Sequence, residues 1–394
     1  MIPLTNTVMF ILALPLALSS TYLLIGTLLS AAAVPPGRSA RTLKFDVIIP
    51  AHNEASVIER TVASLKRVDW PPDRFRVLVV ADNCTDATPA LAHAAGAVVL
   101  ERSNALERGK GYALQFAFDA SRMHGWADAL VVIDADAEVS PNLLDAFAAR
   151  IAQGEHAIQA HYGILNPFDS WRTRLITIAK ASFHIVRSRA RERLGLSCGI
   201  RGNGWCVTQE LLTQVPYRAF SLTEDLEYGI TLGLAGYRVA YADEAHSDAD
   251  MVSGEKIASK QRQRWERGRF ELIRTKTMEL LAAAVRRRSA VCLDLALDLL
   301  VLPLSYVAIY AILIIVIATL LTLWSAAFQG WIWLGVACVS VLILYVLRGW
   351  QLSGIGARGL LDLARAPKFL LWKLVLMAQR GKKSAEWVRT EREK

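Results

Sequence analysis

Residues 7–34 (TVMFILALPLALSSTYLLIGTLLSAAAV) carry no charged side chain, and a run of that length leaves a chain few ways to fold. A helix of about 20 apolar residues crosses the hydrocarbon core of a bilayer, so this segment is long enough to span one. A cleaved signal peptide would show a shorter apolar core behind a basic flank; here the run is too long and no basic residue precedes it, so an uncleaved span is expected. Two further runs follow near the C-terminus. Residues 299–324 (LLVLPLSYVAIYAILIIVIATLLTLW) read as a second span, and residues 331–347 (WIWLGVACVSVLILYVL) as a shorter one opening on interfacial tryptophans. With FQG as the turn between them, the two form a transmembrane hairpin.

The basic residues set the orientation. Arg38, Arg41 and Lys44 follow the first run, Arg286, Arg287 and Arg288 precede the hairpin, and the segment after it is strongly basic. The positive-inside rule places residues 38–290 and the tail in the cytoplasm, with the N-terminus outside. A chain that is 53% hydrophobic yet 21% charged fits a water-soluble part joined to membrane segments. The expected divisions are a transmembrane helix in 1–37, a cytoplasmic domain in 38–290, the hairpin in 291–350 and a basic tail in 351–394. In the tail, GLLDLARAPKFLLWKLVLMAQR (359–380) reads as an interfacial helix because Arg365, Pro367, Lys368 and Lys373 interrupt it. From Arg348 onward the chain carries eleven Lys/Arg and four Asp/Glu, which leaves little of the net +9 for the rest. That distribution suits anionic lipid headgroups and argues against a nucleic-acid partner. Five cysteines, odd in number and without metal-ligand spacing, are expected to be reduced thiols.

Between residues 45 and 140, short apolar runs alternate with amphipathic ones. FDVIIP, RFRVLVVAD, AVVLER and ALVVIDAD read as strands; EASVIERTVASLKRV, DATPALAHAAG and GKGYALQFAFDASRMHG read as helices. This alternation points to an α/β domain with a parallel sheet and right-handed crossovers. In such sheets ligands bind beyond the carboxyl ends of the strands. Three of these ends are polar and mostly acidic: PAHNE, ADNCTD and DADAE. Residues 141–290 are less regular, although 167–194 and 270–288 have the pattern of long amphipathic helices that lie on the membrane surface or pack on the domain.

Several groups in this frame can carry chemistry. Asp134 and Asp136, two residues apart on an emerging loop, can share a hard divalent cation that neutralises a diphosphate. Asp82 can hydrogen-bond a nucleobase or ribose, Asn53 and Glu54 can do likewise or cap a helix, and Asp86 and Thr85 cap the next helix. Lys110 sits at a helix start, where backbone N–H groups favour phosphate. Thr223-Glu224-Asp225 reads as a helix N-cap with acids in the first turn, but a carboxylate there can also act as a general base. In SKQRQRWERGR (259–269) basic residues surround Trp265.

As an ordered set, PAHNE, DNCTD, DAD, TED and Gln261-x-x-Arg264-Trp265 resemble the GT-A family 2 of inverting glycosyltransferases over residues 40–275. The closer likeness is to its membrane-embedded branch, which includes cellulose, chitin and hyaluronan synthases and ceramide glucosyltransferase. The resemblance implies a GT-A fold with a Rossmann-like sheet, attached to transmembrane helices. It places Asp82, Asn53, Glu54, Lys110 and Asp134 at a nucleotide-sugar donor, with UDP expected, and Asp136 with Asp134 at Mg²⁺ or Mn²⁺. Asp225 becomes the base, Gln261 and Arg264 the diphosphate clamp, and Trp265 the floor of the acceptor site beside Glu224. CGIRGNGWCV (198–207) takes the place of the acceptor loop, with Trp205 against a sugar, and His246 can be a third metal ligand. Three spans are few for enclosing a polysaccharide pore, so the expected activity is transfer to a membrane-associated acceptor, lipid-linked or saccharide. The alternatives are a processive β-glycan synthase acting as a homo-oligomer and a non-catalytic scaffold for polysaccharide-export partners. A bacterial inner membrane location, with the catalytic domain cytoplasmic, completes the expectation.

Overall fold

A computed structural model describes residues 2–251 and 255–365, with backbone alone for 255–263. These residues form two compact units, one from 32–169, 191–251 and 255–296, the other from 2–31, 170–190 and 297–365.

The first unit is built on an eight-stranded sheet. Its strands are β1 (Phe45–Ala51), β2 (Phe75–Asp82), β3 (Val98–Arg102), β4 (Ala129–Val132), β5 (Ala137–Val139), β6 (Ala157–His161), β7 (Trp205–Thr208) and β8 (Ala240–Ala249), in the spatial order β3-β2-β1-β4-β7-β6-β8-β5. The four strands read from the sequence pair in parallel, β1 with both β2 and β4, and β2 with β3. The second half breaks that rule: β7 runs antiparallel to β4 and β6, and β5 antiparallel to β8, so the sheet is mixed. Chain length gives the reason for β5. A parallel neighbour needs a crossover of about a dozen residues, whereas β5 starts only a short turn after β4 and crosses to the far edge instead.

Both faces of the central strands are covered, which explains their continuous apolar runs. Phe45, Val47 and Ile49 of β1 pack on one face with Val77, Val79, Val131 and the helices Ile58–Leu65 and Leu143–Ile151. Ile48, Leu78, Val80 and Val132 face the other way, toward helix Lys110–His124 and helix Glu224–Ala235. Asp46, fully buried in the same strand, is held by Arg76 (2.9 Å) and by the Ser121 hydroxyl. Because β2 and β3 extend from one side of β1 and β4 lies on the other, the carboxyl ends of β1 and β4 flank a topological switch point.

In the second unit, helices Ile2–Leu28, Leu304–Thr322 and Gln329–Ser353 interlock through Met9, Ala13, Leu16, Val307, Ala311, Ile314 and Cys338. Three segments, Ile2–Leu28, Leu304–Thr322 and Ala326–Ser353, are long and apolar enough to cross a membrane. The second begins at Leu304, not at residue 299, because Pro303 cannot donate a helical N–H and sits at the N-cap; a separate helix, Ala290–Leu300, precedes it. The turn of the hairpin precedes Gln329 instead of falling on FQG, and the last helix runs on to Ser353. The expected helix over 167–194 forms as Trp171–Lys180, a π-helical stretch Ala181–Val186, and Arg187–Arg193. At the π stretch Gly349 comes so near that an added Cβ would lie 1.9 Å from Ser182 Oγ. Arg187 pairs with Asp298 (2.9 Å) and Arg174 with Asp362 (2.6 Å). A helix Ala357–Leu363 opens the basic tail; the rest of the expected interfacial segment lies outside the described residues. All five cysteines are unpaired.

At Gly111 the backbone of the sheet unit packs so closely that a Cβ would meet the Ala219 carbonyl oxygen at 2.2 Å. Gly111→Ala is expected to destabilise the protein by about 1–3 kcal/mol, the usual range for overpacking, seen as a lower unfolding midpoint in detergent.

Candidate active site

The turn after β4 puts Ala135 into the core and Asp134 and Asp136 on the crevice side. Its backbone is fixed from three directions. Thr61 Oγ1 donates to the Ala135 carbonyl (2.7 Å), Arg60 to the Asp136 carbonyl (3.2 Å), and the Asp134 N–H donates to Asn203 Oδ1 (3.0 Å). Asn203, absent from the sequence reading of site residues, is fully buried and also accepts from Ser247 Oγ (2.9 Å). One amide therefore ties the DAD turn, the glycine-rich loop and β8 together.

Lys110 does not serve its own helix N-terminus. Its Nζ donates to Asp134 Oδ1 and to the Gly202 carbonyl, both at 2.5 Å, and lies 4.0 Å from Glu224 Oε1. Desolvation works to lower its pKa, but the charges of Asp134, Glu224 and Asp225 hold it above the ordinary lysine value. Of the three acids in the first turn of helix Glu224–Ala235, Glu227 takes the structural part, accepting from the Phe220 and Ser221 N–H groups (3.1 and 3.0 Å). Thr223 occupies the N-cap position without a capping hydrogen bond, which departs from the expected cap. Gly202, at φ +89°, lies against Asp225: a Cβ there would sit 3.2 Å from Oδ2.

Burial pushes the Glu224 carboxyl up to about 7, with the charge of Asp225 adding to the effect and Lys110 opposing it. Asp225 is raised as well, first by burial. Tyr162, following β6, shares this field; burial and then the charges of Asp134, Asp136, Asp225 and Asp248 push its phenol well above the ordinary value.

Asp82 ends β2 with its carboxylate accepting from Arg102 Nη1 (2.8 Å) and Asn83 Nδ2 (2.9 Å). Asn53 latches the adjoining loop, accepting from the Thr85 N–H (2.7 Å), and the Glu54 N–H donates to Thr88 Oγ1 (2.7 Å). Asp86 accepts from the Thr88 N–H (3.0 Å) but precedes Ala87, the N-cap of helix Thr88–Ala94, and Thr85 bonds Asn53 instead of capping. The helix Glu255–Arg287 carries the RW pair. Gly268 approaches Thr223 so closely that a Cβ would be 2.6 Å from Thr223 Cγ2, and Arg264, one turn earlier, shares that face. The Arg264 Nε is buried without a hydrogen-bond partner among the described residues, and Trp265 is exposed. The side chain of Gln261 lies outside the described residues.

One expected contact fails. Trp205 opens β7 and is 1% exposed, edge-on to Phe118 in the second core, so it cannot reach a sugar. Strand alternation explains this: at that register the position points beneath the sheet. His246 lies on β8 with Asp248, and with His161 at the end of β6 their ligand atoms fall within 4.8 Å of one another. His246 and Asp248 are two apart on one strand and so share a face, a pattern legible in the sequence; His161 and Arg102 had no such signal.

Together the switch-point crevice, the paired strand-end aspartates and the first-turn acids beside an arginine-bearing helix define a GT-A-type transferase fold. The sequence profile of the family described as "Glycosyltransferase like family 2" matches residues 43–288, and the chain belongs to that family. It is 25% identical over 234 residues to a probable glycosyltransferase, YdaM, of Bacillus subtilis, covering 57% of this chain and 55% of that protein. To the beta-monoglucosyldiacylglycerol synthase of Synechocystis it is 28% identical over 232 residues, covering 57% and 47%. The chain thus spans about half the length of these relatives. Among solved structures, the mannosyltransferase PcManGT of Pyrobaculum calidifontis, in complex with GDP-Man and Mn²⁺, has the same fold, with a TM-score of 0.51 and 18% identity over 86% of this chain and 97% of that one.

Asn203→Ala is expected to leave the Asp134 N–H buried and unsatisfied, costing about 1–3 kcal/mol in chemical unfolding.

Proposed function

We propose that this family 2 glycosyltransferase transfers a sugar, with inversion, from a nucleotide sugar to a membrane-associated lipid acceptor on the cytoplasmic face of the membrane. The observation that carries the reading is the convergence of Asp225, Glu224, Lys110 and Asp134 at the switch point, beside the helix bearing Arg264 and Trp265. Three candidate spans and the glycolipid synthase among its relatives support a lipid acceptor. The flanking basic residues support a cytoplasmic catalytic unit.

The mechanism follows from the charges. Direct displacement at an anomeric carbon needs one base for the acceptor hydroxyl and positive charge for the departing diphosphate. Asp225 takes the proton; its desolvated environment makes it more basic than a surface aspartate. Lys110, and Arg264 with its buried Nε, face the diphosphate, and Gln261 is assigned to the same clamp. Asp82, Asn53 and Glu54 form the nucleotide end, with UDP the favoured donor, and Trp265 offers a flat apolar surface to the acceptor. Glu224 lines the acceptor side. Asp134 and Asp136 offer carboxylates to a divalent cation, Mg²⁺ or Mn²⁺, and His246 with Asp248 belongs to a cluster whose ligand atoms lie within 4.8 Å of one another; an ion bound there would neutralise diphosphate charge.

Asp225→Asn is expected to lower turnover roughly 10²–10⁴-fold while leaving donor binding intact, the size of a general-base contribution. Unchanged turnover would remove Asp225 from that role. Because the base must be ionised, kcat/KM should fall as pH drops through the acids' raised pKa values, Glu224 titrating at about 7. Glu224→Gln removes the neighbouring negative charge and should move that acid limb to lower pH. Membranes supplied with labelled nucleotide sugars should place label in the organic-solvent-soluble fraction. High-molecular-weight polymer from the protein alone would overturn the single-addition reading.

A further inference from the structure

We infer that His161 is a nitrogen ligand of the divalent cation, completing with His246 and Asp248 a two-imidazole set that makes the site choose Mn²⁺ over Mg²⁺. The inference rests on the proposed metal-assisted transfer, but it concerns residues that the D-x-D motif does not include.

The register of β6 and β8 carries the first part of the argument. Ala160 pairs with Ala242, so regular pairing would set His161 opposite Asp243; the ladder is irregular there and His161 pairs with His246 instead. Such irregularities re-aim side chains, and this one brings the two imidazole rings to 4.6 Å between centroids at 66°. Alternation along β8 keeps Asp248 on the same face as His246, with 4.0 Å between Asp248 Oδ2 and His246 Nδ1.

Two of the ligands are also oriented from behind. His161 Nδ1 lies 3.2 Å from the Tyr241 hydroxyl, which leaves Nε2 as the atom directed into the cluster. Asp248 Oδ1 accepts from the Gly163 N–H at 2.8 Å. The point where a Gly163 Cβ would stand is 2.2 Å from Asp248 Oδ1 and 3.2 Å from His161 Nε2, so both atoms converge over a residue without a side chain. Outer partners of this kind fix tautomer and ring orientation in metal sites. The β5–β8 pairing sets Glu138 opposite Asp248 and Ala137 opposite Ala249, which brings the strand that follows the DAD turn alongside the one bearing His246 and Asp248. Mg²⁺ is held by oxygen ligands and gives up water reluctantly, whereas imidazole favours first-row transition ions.

The test uses the full chain in detergent, without donor. Pulsed EPR of substoichiometric Mn²⁺ should show ¹⁴N modulation from two imidazoles, and Mg²⁺ should displace the ion only in large excess. His161→Gln, checked for an unchanged unfolding midpoint, should lose one nitrogen coupling and weaken Mn²⁺ binding about 10–100-fold, while Mg²⁺ affinity changes far less. Tyr241→Phe provides a milder variant; it should weaken Mn²⁺ in the same direction with both couplings retained. Bound Mn²⁺ without nitrogen modulation, or a His161→Gln protein with wild-type modulation and affinity, overturns the inference. Hydrolysis of nucleotide sugars by the wild-type protein reports separately on the transferase reading, because it does not depend on which atoms hold the ion.

Discussion

The site depends on the ammonium group of Lys110. Asp134, Glu224 and Asp225 all exert their charge on it, and desolvation raises the cost of each carboxylate that lacks a cation nearby. Its two hydrogen bonds, to Asp134 and to the Gly202 carbonyl, join the DAD turn to the loop beside Asp225. Without that cation the acids would repel one another or take up protons, and Asp225 would lose the ionised form that its proposed role requires. The same balance is visible in Tyr162, whose phenol is held neutral by burial and then by the charges of four aspartates.

Position in this crevice is enforced by buried polar groups more than by apolar contact. Asn203 holds the DAD turn and β8 in one arrangement, and Gln159 donates to the Asn203 and Gly204 carbonyls (2.7 and 3.1 Å) while accepting from the Arg201 N–H (2.8 Å). A buried network that is satisfied at each of these atoms rigidifies a loop that carries glycines at 199, 202 and 204. The glycines in turn let Asp225 and Ser247 approach the backbone. The helical unit repeats the theme in apolar surroundings, where Arg187 with Asp298 and Arg174 with Asp362 pair charges that would be costly alone.

Much of this was legible in the residues. The strands β1 to β4 announced themselves because strands buried on both faces must be apolar throughout, and their acidic ends marked the crevice. Lys110, Asp134, Glu224 and Asp225 were named from local patterns, and the structure gathers these four at one place. Trp205 was misassigned because one tryptophan among glycines looks the same whether it faces a ligand or the core. Its face depends on pairing with β4 and β6, strands far away in sequence. Arg102, Asn203 and His161 went unnoticed for a related reason: each acts through a partner 20 or more residues away, respectively Asp82, Asp134 and His246.

The sequence by itself determined which segments are apolar enough to cross a membrane, which strands form the parallel half of the sheet, and which acids stand at their ends. These follow from hydrophobic period and length, which are local properties of the chain. Tertiary structure decided that β7 enters antiparallel, that Lys110 turns to the DAD loop, and that His161 meets His246. Those outcomes hang on strand register and on hydrogen bonds between distant segments, and no local pattern encodes a register.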